Sequence, residues 1–128
     1  MKIHTEVQIS SAHHLPGYPY ECQKVHGHNW KVVIEVTGDI LDEHSMLLDF
    51  KKIKEVMKKY DHADLNDLIE MPTAENLSYK FASEIRSLGS CKRQISASGN
   101  FMLPESNRFN SVTVRVYEAE NSYAEITL

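Results

Sequence analysis

His26-Gly27-His28 sets two imidazoles two residues apart, within a stretch whose polarity alternates. On an extended strand, residues two apart project to the same side, so both rings address one point in space. That is a usual way to present two nitrogens to one metal ion. A third ligand must come from elsewhere, and the pair His13-His14 is the obvious donor. Strand parity chooses between them. If the N-terminal strand stays extended, Ile3, Val7, Ile9, Ser11 and His13 face inward and His14 faces away. Three neutral imidazoles with an open fourth position describe a catalytic zinc (Zn2+) site rather than a structural one. Any single histidine is more simply a core or surface residue, and His4 and His44 are read as solvent-facing; the pattern of three favours the metal.

Cys22 lies four residues before His26. It is either a fourth ligand, closing a structural site of one cysteine and three histidines, or a nucleophile or base whose thiolate is favoured by nearby zinc and by Lys24. An inert thiol is the third possibility, and spacing does not separate them. Cys91 has no histidine neighbours in sequence and is read as incidental. Asp61-His62 offers a carboxylate that orients an imidazole for proton transfer. The plainer alternative is a helix C-terminus, where a protonated histidine suits the dipole, and on residues alone that alternative wins. Glu118 ends a row of Val112, Val114 and Val116 on one strand face. A buried carboxylate needs a partner, such as paired N–H donors on a heterocycle edge; a frayed strand end in water is equally compatible.

Alternation over Ile3–Ile9 and again over His26–Val36 predicts two strands, joined by a loop containing Leu15-Pro16-Gly17-Tyr18-Pro19. On the second strand His28, Trp30, Val32, Ile34 and Val36 share one face, with Val33 on the other. Asp49 is placed to cap a helix carrying Phe50, Ile53, Val56, Met57 and Tyr60 on one stripe. Pro72-Thr73 starts a second helix with Leu77, Phe81, Ile85 and Leu88 inward and Gly89 as its stop signal. Residues 90–110 read as a long loop, which in a small domain is functional or mobile. Val112–Glu118 and Ser122–Leu128 close the chain as a hairpin. The order β-β-α-α-β-β, with two amphipathic helices on one face of an antiparallel sheet, is an α+β domain.

At 128 residues the chain is expected to form one domain, 1–128. A net charge of −4 and a pI near 5.9 give no support to nucleic-acid binding. No apolar run approaches the roughly 18 residues that cross a membrane, and the N-terminus lacks a signal-peptide core. Two cysteines do not make a disulfide framework, so a cytoplasmic protein with reduced thiols is expected.

Taken together, these residues resemble a known family. Ile9-Ser10-Ser11-Ala12-His13-His14-Leu15 is similar to an F-x-A-A-H-x-L segment, with Ile9 in place of the aromatic. Cys22-Gln23-Lys24-Val25-His26-Gly27-His28-Asn29 matches a C-x-x-x-H-G-H-[NST] signature. Leu48-Asp49-Phe50, Asp61-His62-Ala63-Asp64-Leu65-Asn66, Pro72-Thr73-Ala74-Glu75-Asn76-Leu77 and Val116-Tyr117-Glu118 follow as further landmarks in the same order. The family is the 6-pyruvoyl-tetrahydropterin synthases and the bacterial 6-carboxy-tetrahydropterin synthases of queuosine biosynthesis. The resemblance implies the tunnelling (T-) fold, a homohexamer made of two trimers, and active sites between subunits. It implies zinc on His13, His26 and His28, and Cys22 as the base that removes a side-chain proton. It further implies Asp61 and His62 as a second proton-handling pair reaching a neighbouring subunit, and Glu118 as anchor for the pterin's amino-pyrimidine edge. The substrate implied is 7,8-dihydroneopterin triphosphate, and the expected activity is that of a lyase. The carboxy-type enzyme, releasing acetaldehyde and triphosphate, is the first reading. The pyruvoyl-type enzyme is its nearest rival, followed by a non-catalytic domain with structural zinc and a pterin-binding or aldolase-type T-fold protein.

Overall fold

Two long strands carry the histidines. In the computed structural model, which describes residues 1–91, 99 and 106–128, β1 (Lys2–His13) and β2 (His26–Thr37) pair antiparallel without interruption, from Lys2↔Thr37 to His13↔His26. Then come α1 (Phe50–Lys58) and α2 (Ala74–Ser87). A small pair, β3 (Ser90–Cys91) and β4 (Ser106–Asn107), precedes β5 (Ser111–Ala119) and β6 (Ser122–Thr127). The main sheet has the order β1-β2-β5-β6, all neighbours antiparallel, so β1 and β6 form its edges. The long loop expected over 90–110 therefore begins and ends in the β3–β4 pair, and its middle lies outside the described residues.

Both helices start where their caps predict. The Asp49 carboxylate accepts from Lys51 N–H at 2.9 Å, and Thr73 Oγ1 accepts from Asn76 N–H at 3.2 Å. Ile53, Met57 and Tyr60 pack with Leu77, Phe81 and Ile85 over a sheet face of Ile9, Trp30, Val32, Ile34, Val36, Val112, Val114 and Val116. Each such aliphatic or aromatic side chain stabilises the fold by about 1.5–3 kcal/mol when fully buried.

Two sequence expectations need correction, and a third, Gly89 as the stop of α2, holds for a different reason. Phe50, placed on the inward stripe of α1, is its first residue and is 45% exposed, the buried stripe being carried by Ile53 and Met57. Val33, on the polar face of β2, is 3% exposed; it sits in a central strand, paired with Glu6 on one side and Arg115 on the other. Gly89 follows α2 without a left-handed φ. Its requirement is space: a Cβ there would lie 2.4 Å from Asn107 Oδ1 and 2.5 Å from the Phe109 ring.

Candidate metal centre

The β1–β2 register builds this site. His13 ends β1 directly opposite His26, which opens β2, and His28 lies opposite Ser11 on the same face. Parity holds through the whole of β1, so His13 is 2% exposed. His14 lies past the strand end, where both its backbone groups bond to the Asn66 side chain.

The second ring nitrogens are spoken for. His13 Nδ1 lies 2.8 Å from the Pro72 carbonyl oxygen, and His26 Nδ1 lies 2.7 Å from that of Lys24. A carbonyl only accepts, so each Nδ1 carries the proton and donates it. In the neutral rings each Nε2 is then a bare acceptor, yet His13 Nε2 and His26 Nε2 stand 3.0 Å apart. Two facing lone pairs at that distance call for a proton or a cation between them. His28 Nε2 is buried without a hydrogen bond among the described residues, 3.4 Å from Glu118 Oε1. One ligand atom from each of His13, His26, His28 and Glu118 lies within 4.8 Å of the others. The donor set therefore fits a metal that accepts imidazole nitrogen and carboxylate oxygen, as zinc does. Trp30 forms the floor: its buried ring meets those of His13 and His28 edge-on, with centroids 4.9 Å away in each case.

Burial, then the neighbouring His26, holds His13 below the ordinary imidazole range, although its bond to Pro72 opposes this. His28 is lowered too, first by burial and then by His13, with Glu118 opposing. Both shifts favour the neutral rings that bind metals.

Glu118 is neither buried nor frayed. Its side chain is 43% exposed, but β5–β6 pairing continues past it to Ala119↔Ser122. The β5–β6 register shifts between Tyr117 and Ala119, and by the β2–β5 register, with Val32↔Val116, Glu118 continues the inward row toward the histidines. Cys22 sits half-buried in a short 3-10 turn, Glu21–Gln23, as a free thiol. It borders an open cleft of about 450 Å³ together with Lys24, His26, His28 and Glu118. Its Sγ is not among the atoms that converge on the metal position.

Asp61 and His62 stand apart from that cleft. Asp61 Oδ1 accepts from Ser10 N–H at 2.9 Å, while His62 N–H donates to Ser10 O at 2.7 Å and Ala12 N–H to Ala63 O at 3.0 Å. The segment thus docks on the outer edge of β1. His62 adopts a left-handed φ of 55° beyond the end of α1, which closes at Lys58 with Lys59 as its cap. Its Nε2 is 3.6 Å from Asp61 Oδ2, too far for a hydrogen-bonded relay within the chain. His62 opens onto a second cleft of about 510 Å³, which it shares with His28.

Sequence reasoning missed the Pro72 and Lys24 carbonyls, since a backbone acceptor has no residue-type signature. It also missed that Glu75 lines a cavity of about 140 Å³ with Glu118; the Pro-Thr-Ala-Glu-Asn segment was the available signal.

Comparison with known proteins follows the same lines. A family model described as 6-pyruvoyl tetrahydropterin synthase matches residues 2–128. A protein of Archaeoglobus fulgidus named putative 6-carboxy-5,6,7,8-tetrahydropterin synthase is 39% identical, over 98% of this chain and 95% of its own. A Pyrococcus furiosus protein named dihydroneopterin monophosphate aldolase is 33% identical over 52% of this chain and 60% of its own. Among solved structures, that of Caenorhabditis elegans 6-pyruvoyl tetrahydropterin synthase superposes with a TM-score of 0.65 at 18% identity, covering 100% of this chain and 95% of that one. The fold is the α+β T-fold expected from the sequence, an antiparallel sheet with two helices on one face.

Proposed function

The chain belongs to the 6-pyruvoyl tetrahydropterin synthase family, and from that premise we propose that it is a zinc lyase converting 7,8-dihydroneopterin triphosphate to 6-carboxy-5,6,7,8-tetrahydropterin, with release of acetaldehyde and triphosphate. The observation that carries this reading is the convergence of His13, His26, His28 and Glu118 within 4.8 Å beside an open cleft. The carboxy-type product is favoured over the pyruvoyl type by the name of the full-length relative at 39% identity.

His13, His26 and His28 would hold the metal. Zinc bound there would supply Lewis acidity toward the substrate's side-chain hydroxyls, easing deprotonation of the adjacent carbon. Cys22, on the same cleft, takes that proton. Glu118 accepts the ring N–H and exocyclic amine of the pterin, a paired, charge-assisted contact that fixes the ring's orientation. Asp61 pins its segment to β1 and holds His62 outward over the second cleft, from which the pair serves a neighbouring subunit's site. Among the described residues, the backbone edges of β6 and of β1 ahead of Ser10 suit strand pairing between subunits in a homohexamer of two trimers.

Incubating the purified protein with dihydroneopterin triphosphate and identifying the products tests the proposal. 6-Carboxytetrahydropterin with acetaldehyde is expected; a retained three-carbon side chain would make it the pyruvoyl-type enzyme, and aldol cleavage would align it with the aldolase relative. A second reading, a closed and non-catalytic zinc site, draws support from Glu118 as a potential fourth donor. Under that reading Glu118→Gln releases zinc and no pterin is turned over. A site closed by Cys22 instead would give a cobalt-substituted protein an intense thiolate charge-transfer band, which we do not expect.

A further inference from the structure

The Pro72-Thr73-Ala74-Glu75-Asn76 landmark meets the metal centre through its backbone. Pro72 is buried, and its carbonyl oxygen accepts from His13 Nδ1 at 2.8 Å. What aims that carbonyl is a tight turn about Pro72, in which Thr73 N–H donates to Met71 O at 2.9 Å. An i→i+2 bond of this kind is an inverse γ-turn, and the fixed φ of proline suits its central position. The same Met71 oxygen receives a second donor, Asn76 Nδ2, also at 2.9 Å. Asn76 is itself set by α2, because its N–H bonds Thr73 Oγ1 at 3.2 Å in the capping turn.

We propose that Asn76 is a positioning residue for His13: its carboxamide ties Met71 O, closes the turn at Pro72, and so holds the Pro72 carbonyl where it fixes the His13 ring in the tautomer whose Nε2 faces His26 and His28. The inference rests on the metal-site reading given above. His26 offers an internal control, since its Nδ1 is held by Lys24 O, on a different segment. Outer groups that orient a metal-bound histidine typically govern about 10- to 100-fold in metal affinity.

Asn76→Asp separates positioning from mere structure. The two side chains have the same shape, and an acidic residue at the third position of α2 suits the helix N-terminus, so the helix itself is not weakened. The carboxylate, however, has no proton to give to Met71 O. Long-range 15N–1H spectra of the metal-free protein report which ring nitrogen of each histidine is protonated. In the wild type, His13 and His26 are both expected as Nδ1–H rings. In Asn76→Asp and in Asn76→Ala, His13 is expected to become a mixture of tautomers while His26 keeps its pattern. Competition with a chromophoric chelator should then show zinc affinity reduced about tenfold or more. Unchanged His13 signals and unchanged affinity in the aspartate variant overturn the inference, as does an equal change at His13 and His26. Should the wild type bind no zinc, the metal reading fails, and the tautomer spectra still decide whether Asn76 positions His13.

Discussion

Replacing His13 or His14 by alanine perturbs neighbouring residues with opposite expected outcomes. His13 is 2% exposed, its Nε2 lies 3.0 Å from that of His26, and its Nδ1 bonds Pro72 O. Structural zinc contributes about 10–16 kcal/mol in small zinc domains, so one donor among three contributes about 3–5 kcal/mol. Losing it should weaken zinc binding by about two to four powers of ten. The metal-free fold should lose stability too, since the Pro72 carbonyl is left without its donor, at a cost of about 1–3 kcal/mol. The bonds recorded for His14 to Asn66 are made by its backbone and survive truncation of the ring. His14→Ala should therefore keep its zinc. Metal analysis of both purified variants, followed by chelator competition, reads the difference. A zinc-free His14→Ala beside a zinc-replete His13→Ala would refute the parity argument and the site built on it.

Cys22→Ala should keep its zinc and its fold while turnover falls by about 10²- to 10⁴-fold, the usual contribution of a general base; metal leaving with the thiol would make Cys22 a ligand. Glu118→Gln places a donor against a donor and should weaken binding of a non-reactive pterin by about 1.5–3 kcal/mol. Calorimetric titration of both proteins checks this, and equal affinity with zinc intact would remove Glu118 from the pterin site. The metal-free protein should lose stability on acidification. His13 and His28 have lowered folded-state pKa values, so as pH falls below about 6.5 the unfolded chain takes up protons first. The contribution is whole above that pH and declines until the folded rings also protonate. Urea unfolding at several pH values measures it, and greater stability in mild acid than at neutral pH would contradict the assignment.

Local pattern carried much of this protein. The alternation that set β1 and β2, the caps at Asp49 and Thr73, and the parity that turned His13 inward all act over a few residues, where backbone geometry ties side-chain direction directly to spacing. His26 and His28 were legible for the same reason. What the sequence left open depends on contacts between distant segments. The register His13↔His26 brings the third imidazole into place, and the Pro72 carbonyl, 59 residues away, selects its tautomer. The β2–β5 register, with Val32↔Val116, brings Glu118 at the end of the apolar row to 3.4 Å from His28. Asp61, adjacent to His62 in sequence, is committed to Ser10 on the edge of β1 and not to the imidazole beside it. Residue type states what a side chain can donate or accept; only the packing of β1, β2, β5 and the entry to α2 decides which partner it finds, because backbone acceptors and strand register leave no mark on residue identity.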